Sequence, residues 1–142
     1  MVSGRILIID DEEILLRTFS ILLSRRGYEV QCASSCAEAI RCVRGYIFDL
    51  WICDILMPGA DGFETIKKLR QAVEDSQKES TGVIMMSGYM DQKFDYKILS
   101  TAPDVFIPKP FDTHFFLSQV DAMMERILRK RIDSSVYTEK IS

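Results

Sequence analysis

Arg5-Ile6-Leu7-Ile8-Ile9, closed by Asp10-Asp11, is the stretch on which the fold turns. Its aliphatic run has no polar face, so it reads as a strand buried on both sides. Helical spacing follows from Glu12 to Arg26, and Gly27 stops it as a C-cap glycine does. Tyr28 to Ala33 alternates, which suits a strand nearer a sheet edge. Ser34-Ser35 supply a cap before a helix over Cys36 to Arg44. Asp49-Leu50-Trp51-Ile52-Cys53 is the next apolar strand, ended by Asp54. Met57 to Gly62 is a loop by its Pro and Gly content, and a helix runs from Phe63 to about Ser76. Glu74 to Thr81 reads as a solvated helix end and loop. Gly82 to Met86 is a fourth strand ending at Ser87-Gly88, followed by a shorter helix over about Asp91 to Ser100. Asp104 to Ile107 is the last strand. After Pro108-Lys109-Pro110-Phe111, Asp112 caps a long helix to about Arg131. Five strands alternating with five helices predict an α/β, three-layer, doubly wound parallel sheet.

The 142 residues suit one domain, and a 47% hydrophobic share with 27% mixed charge excludes disorder. No apolar run approaches the roughly 20 residues that span a bilayer, so no membrane role is expected. With no signal peptide before Arg5, the expected location is cytoplasmic. A net charge of −3 argues against direct nucleic-acid binding. The cysteines Cys32, Cys36, Cys42 and Cys53 form no CxxC pair and His114 is the sole histidine, which disfavours zinc. These cysteines are expected to be reduced and mostly buried.

In open sheets of this kind the ligand site lies beyond the carboxyl ends of the strands, where strand order reverses. The polar residues ending the apolar runs are Asp10, Asp11, Asp54, Ser87 and Lys109. Three carboxylates at one edge repel unless compensated, and a hard cation such as Mg2+ compensates them with oxygen ligands. Lys109 adds a point charge for a carboxylate or phosphoryl group, and Ser87 adds a hydroxyl. The set describes phosphoryl transfer to a carboxylate, with Asp54 as nucleophile. Each residue alone is weak evidence, since Asp pairs cap helices and an Asp before Pro-Gly forms turns. Their joint placement at four strand ends carries the reading.

Ile8-Ile9-Asp10-Asp11-Glu12, Asp54-Ile55-Leu56-Met57-Pro58-Gly59-Ala60-Asp61-Gly62, Met86-Ser87-Gly88 and Lys109-Pro110-Phe111 resemble the receiver domain of two-component response regulators. The similarity runs from about Arg5 to about Ile127. The resemblance implies a flavodoxin-like strand order, 2-1-3-4-5, and Asp54 as the phosphoacceptor for a sensor histidine kinase or phosphotransfer protein. It implies Mg2+, with Mn2+ as an alternative, on Asp10, Asp11, Asp54 and the Leu56 carbonyl. Ser87 and Lys109 would hold the phosphoryl oxygens, Phe106 would turn inward on activation, and the Lys109-Pro110 bond would be cis. External substrate turnover is not expected. A phosphatase or phosphotransferase with an Asp nucleophile is the alternative, disfavoured because Leu56 stands where such enzymes carry an acid. A degenerate scaffold is a second alternative.

Several positions depart from the common family pattern. Leu56 and Tyr89 flank the place of the attacking water, so they are expected to tune dephosphorylation by shielding the acyl phosphate. Ser100-Thr101-Ala102-Pro103 lacks the usual Gly-Ala turn, which predicts a short or displaced preceding helix. On the first helix Leu15, Phe19, Leu22 and Leu23 form an inward stripe, and Ile14, Thr18 and Ile21 a second one suited to kinase docking. The last helix and last strand border the face relatives use for homodimers or output. Residues 1–131 are expected to form the domain. Residues 132–142 are expected to be a tail or the start of a linker to a covalently joined output domain.

Overall fold

The computed structural model describes residues 4–88 and 92–141; the side-chain surroundings at 92–95 and 134–141 lie outside that description. Strands β1 (Arg5–Ile9), β2 (Glu29–Ala33), β3 (Leu50–Asp54), β4 (Gly82–Ser87) and β5 (Val105–Pro108) pair in parallel, in the order β2-β1-β3-β4-β5. The helices are α1 (Glu13–Arg25), α2 (Cys36–Gly45), α3 (Gly62–Ala72), α4 (Asp75–Ser80), α5 (Gln92–Thr101) and α6 (Thr113–Ile141).

Alternation along each central strand divides the core into two layers. Ile6 and Ile8 of β1, Leu50 and Ile52 of β3, and Ile84 and Met86 of β4 meet α1 and α6. The intervening Leu7, Ile9, Trp51, Cys53, Val83 and Met85 meet α2 and α3. Both faces are apolar, which is why these strands read as continuous runs. Edge strand β2 is half-buried, in keeping with its alternating sequence. Phe19 of α1 stacks on Phe116 of α6 at 4.3 Å, with Phe111 against the pair. That aromatic contact pins the first helix to the last beneath β1 and β5.

Local signals explain the helix ends. Ser35 accepts from the Glu38 backbone N–H at 3.2 Å, while the Glu38 carboxylate accepts from Ser34. Asp61 caps α3 at the Glu64 N–H and Asp112 caps α6 at the Phe115 N–H. Gly27, at φ 95°, turns the chain out of α1.

Five expectations need correction. There are six helices among the described residues, because α3 ends at Ala72 and the polar run 75–80 coils again as α4. Val73 goes extended to tuck against the core, which breaks the helix there. No Gly or Pro interrupts the last helix, so α6 continues ten residues past Arg131 to Ile141. The buried stripe of α1 is Leu16, Phe19 and Leu23, with Leu15 and Leu22 only half-buried. Helix α5 has ten residues and is not short; Ala102 takes the left-handed turn itself, at φ 50°. Of the cysteines, all free, only Cys53 is buried, and Cys32 is exposed at the edge strand.

Candidate functional site

Strand order reverses between β1 and β3, and these two strands deliver the acids. Asp10 and Asp11 follow the last residue of β1, and Asp54 is the last residue of β3. One carboxylate oxygen from each of the three lies within 4.8 Å of the others. Ser87 ends β4, one residue beyond the Asp54 partner Met86, and is fully buried. Lys109 follows β5, tied back by its N–H to the Ser87 carbonyl at 2.8 Å. The Lys109–Pro110 peptide bond is cis. The Lys109 ammonium stands 3.5 Å from Asp54 Oδ1 and 3.7 Å from Asp10 Oδ2.

This arrangement is electrostatically costly. Asp10 is 0% exposed, and its Oδ2 has no hydrogen-bond donor, while Oδ1 accepts from the Glu12 N–H at 3.0 Å. Burial pushes the Asp10 carboxyl up to about 6, against the Glu12 N–H and Lys109, with the Asp54 charge adding to the rise. Burial raises Asp54 as well, and Lys109 opposes it. Two buried acids and an exposed third, sharing one lysine, leave excess negative charge. An orphaned buried carboxylate oxygen among three converging acids fits a hard divalent cation with oxygen ligands.

The remaining predicted residues divide by exposure. Leu56 is 48% exposed at the rim, two residues past Asp54. Phe106 is half-buried on β5, against the α2 and α3 layer. Ile14, Thr18 and Ile21 face solvent on α1, with Ile14 81% exposed, so they are not half-buried core. Tyr89 lies outside the described residues.

Two residues that the sequence shows only as part of a loop and motif have defined roles beside the site. Gly62 donates its N–H to the Ile55 carbonyl at 2.8 Å, and a Cβ on it would stand 2.4 Å from the Asp54 carbonyl oxygen. Glycine is therefore required where α3 meets the end of β3. Asp61 caps α3 and also pairs with Lys97 of α5 at 3.6 Å. The Asp61-Gly62-Phe63-Glu64 spacing is a capping signal that would have placed the start of α3 correctly.

The family model described as "Response regulator receiver domain" matches residues 6–121. The chain is 33% identical over 129 residues to the alkaline phosphatase synthesis transcriptional regulatory protein PhoP of Bacillus subtilis, covering 90% of this chain and 50% of that protein. It is 30% identical over 126 residues to the regulatory protein AtoC of Escherichia coli, covering 89% and 25%. The chain thus spans half the length or less of these two relatives. Among solved structures, a CheY-like receiver domain protein from Methanospirillum hungatei superposes with a TM-score of 0.81 at 25% identity, covering 91% of this chain and 99% of that one. The response regulator TrrA from Thermotoga maritima, solved in complex with Mg2+ and BeF, gives 0.71 at 28% identity, covering 84% and 98%.

Proposed function

The chain belongs to the response regulator receiver family, and from that premise we propose that it is a phosphorylation-driven signalling switch with Asp54 as acceptor. The observation that carries this reading is the convergence of Asp10, Asp11, Asp54 and Lys109 at the strand-order reversal. Asp10, Asp11, Asp54 and the Leu56 carbonyl are the groups that would hold Mg2+. Bound there, the ion neutralises phosphoryl oxygens and the surplus of carboxylate charge.

The chain's own residues do the rest. An Asp54 carboxylate oxygen attacks phosphorus in line as the histidine nitrogen of the donor leaves. Lys109, already 3.5 Å from Asp54, transfers its attention to the incoming phosphoryl oxygens and holds them as a point charge. The Ser87 hydroxyl donates to the same group, drawing the end of β4 toward it. That movement frees space beside β5, into which the half-buried Phe106 ring turns. Leu56 at the rim and Tyr89 restrict water at the acyl phosphate.

The switch acts on partners and not on an external substrate. A sensor histidine kinase or phosphotransfer protein is the donor, received by the exposed Ile14, Thr18 and Ile21 stripe beside Asp11. The face of α5, β5 and α6, where Tyr96, Leu99 and Phe115 are exposed, is the output or homodimer face. Residues 1–131 are assigned to the receiver domain and 132–142 to a tail or the start of a linker to an output domain, the last helix running on as far as Ile141. Among the described residues no helix is long and apolar enough to cross a membrane.

Calorimetric titration with beryllofluoride, a stable mimic of the phosphoryl group, tests the site. Binding is expected only with Mg2+ present and only when Asp54 is intact. Equal binding by Asp54→Ala, or binding without the ion, would overturn the assignment.

A further inference from the structure

At the opposite end of the sheet from the acids, below the start of β4 and β5, a cleft of about 390 Å3 lies between α4 and the middle of α6. Met123 and Ile127 form its apolar floor, Arg126 and Lys130 stand along one rim, and Ser76 and Glu79 along the other. The size is that of a small-molecule pocket. Gly82 keeps the floor tight, since a Cβ there would come within 2.8 Å of Met123 Cε and 2.9 Å of Ile127 Cδ1.

Two observations bear on what this cleft does. First, none of the six residues of α4 is buried, so core packing does not explain the helix. A helix so short gains little from propensity alone; what α4 does is wall the cleft. Second, Arg126 and Lys130 sit one turn apart on α6 with no ion pair or hydrogen bond among the described residues. Their neighbours on the same helix are satisfied, Arg129 by Glu125 and Arg131 by Asp49. A larger cleft of about 690 Å3 between α3 and α5 offers Lys67 alone in place of such a pair, because Lys97, Lys78 and Arg70 there are held by Asp61, Asp75 and the Thr101 carbonyl.

We infer that the cleft between α4 and α6 binds a small amphiphilic anion, a phosphate or carboxylate on an apolar body. Arg126 and Lys130 grip the charge and the Met123–Ile127 floor takes the body. Two carboxylates also line the cleft, Glu79 on the far rim and Asp104, which accepts from the Val83 N–H, and they disfavour anions lacking an apolar part. The site is remote from the acids and does not depend on phosphorylation of Asp54.

Calorimetry with naphthyl phosphate and with naphthoate, in metal-free buffer of low ionic strength, tests it. Saturable binding of at least one probe is expected, and the pair separates phosphate from carboxylate preference. The double variant Arg126→Gln/Lys130→Gln, altered only at exposed positions, should weaken binding at least about tenfold. Glu79→Gln should tighten it, and both variants should bind beryllofluoride with Mg2+ as the wild type does. Absence of saturable binding, unchanged affinity in the double variant, or inorganic phosphate binding as tightly as naphthyl phosphate would overturn the proposal.

Discussion

Replacing Asp10 with Asn should stabilise the metal-free protein while weakening its hold on Mg2+. Asp10 is fully buried, its Oδ2 has no hydrogen-bond donor, and burial raises its carboxyl from 3.8 to about 6. The folded chain therefore binds this proton more tightly than the unfolded chain. Stability then falls as pH rises from about 4 to about 6, and the whole contribution is absent above that. At about 1.4 kcal/mol per pH unit, the gap amounts to roughly 3 kcal/mol as a ceiling. Asn keeps the oxygen that accepts from the Glu12 N–H and removes the charge. Lys109 loses one of its two partners, which returns part of the gain. A net gain of about 1–3 kcal/mol, or roughly 3–9 °C in Tm, is expected near neutral pH. Scanning calorimetry without metal reads it, and near pH 5 the difference from wild type should shrink to about half. Mg2+ titration of the same variant should show a weaker site. A metal-free Asp10→Asn protein less stable than wild type, or a difference indifferent to pH, would refute the reasoning.

Gly62→Ala should cost about 1–3 kcal/mol in chemical denaturation and slow phosphorylation, because its Cβ would meet backbone atoms of Asp54 and Ile55 at 2.4 and 2.7 Å. Gly45→Ala, with nothing within 4 Å of the added atom, should stay within about 0.5 kcal/mol of wild type in the same assay. Leu56→Asn should shorten the lifetime of the phosphorylated form several-fold, timed by release of phosphate; an unchanged half-life would remove Leu56 as a shield. Arg131→Ala should lower stability by about 1–2 kcal/mol, since the largely buried Asp49 would keep only the Arg5 backbone N–H. Its Tm is the readout.

The sheet was legible because its central strands are buried on both faces, so Ile6–Ile9, Leu50–Cys53 and Val83–Met86 are apolar throughout. The residues that end those strands could be picked out for the same reason, as the first polar groups after each run. Features set by tertiary contact were not legible. Cys32 looks like a core residue in composition but falls on the edge strand, and Leu16 is the more buried neighbour of the half-buried Leu15 because the packing of α1 on the sheet, not the apolar spacing alone, sets its inward face. Helix α4 owes nothing to an apolar pattern, having no buried residue, so no periodicity announces it. The contact of Gly62 with Asp54 joins two elements whose approach only the folded chain defines.

The acids and Lys109 converge into a pocket whose expected work is to carry an aspartyl phosphate. Incubation with acetyl phosphate and Mg2+, reductive trapping of the acyl phosphate and peptide mass spectrometry test it most directly. One modified residue, Asp54, is predicted, with modification abolished by Asp54→Ala or by chelating the ion. An unmodified wild-type protein, or a modified Asp54→Ala protein, would contradict the account.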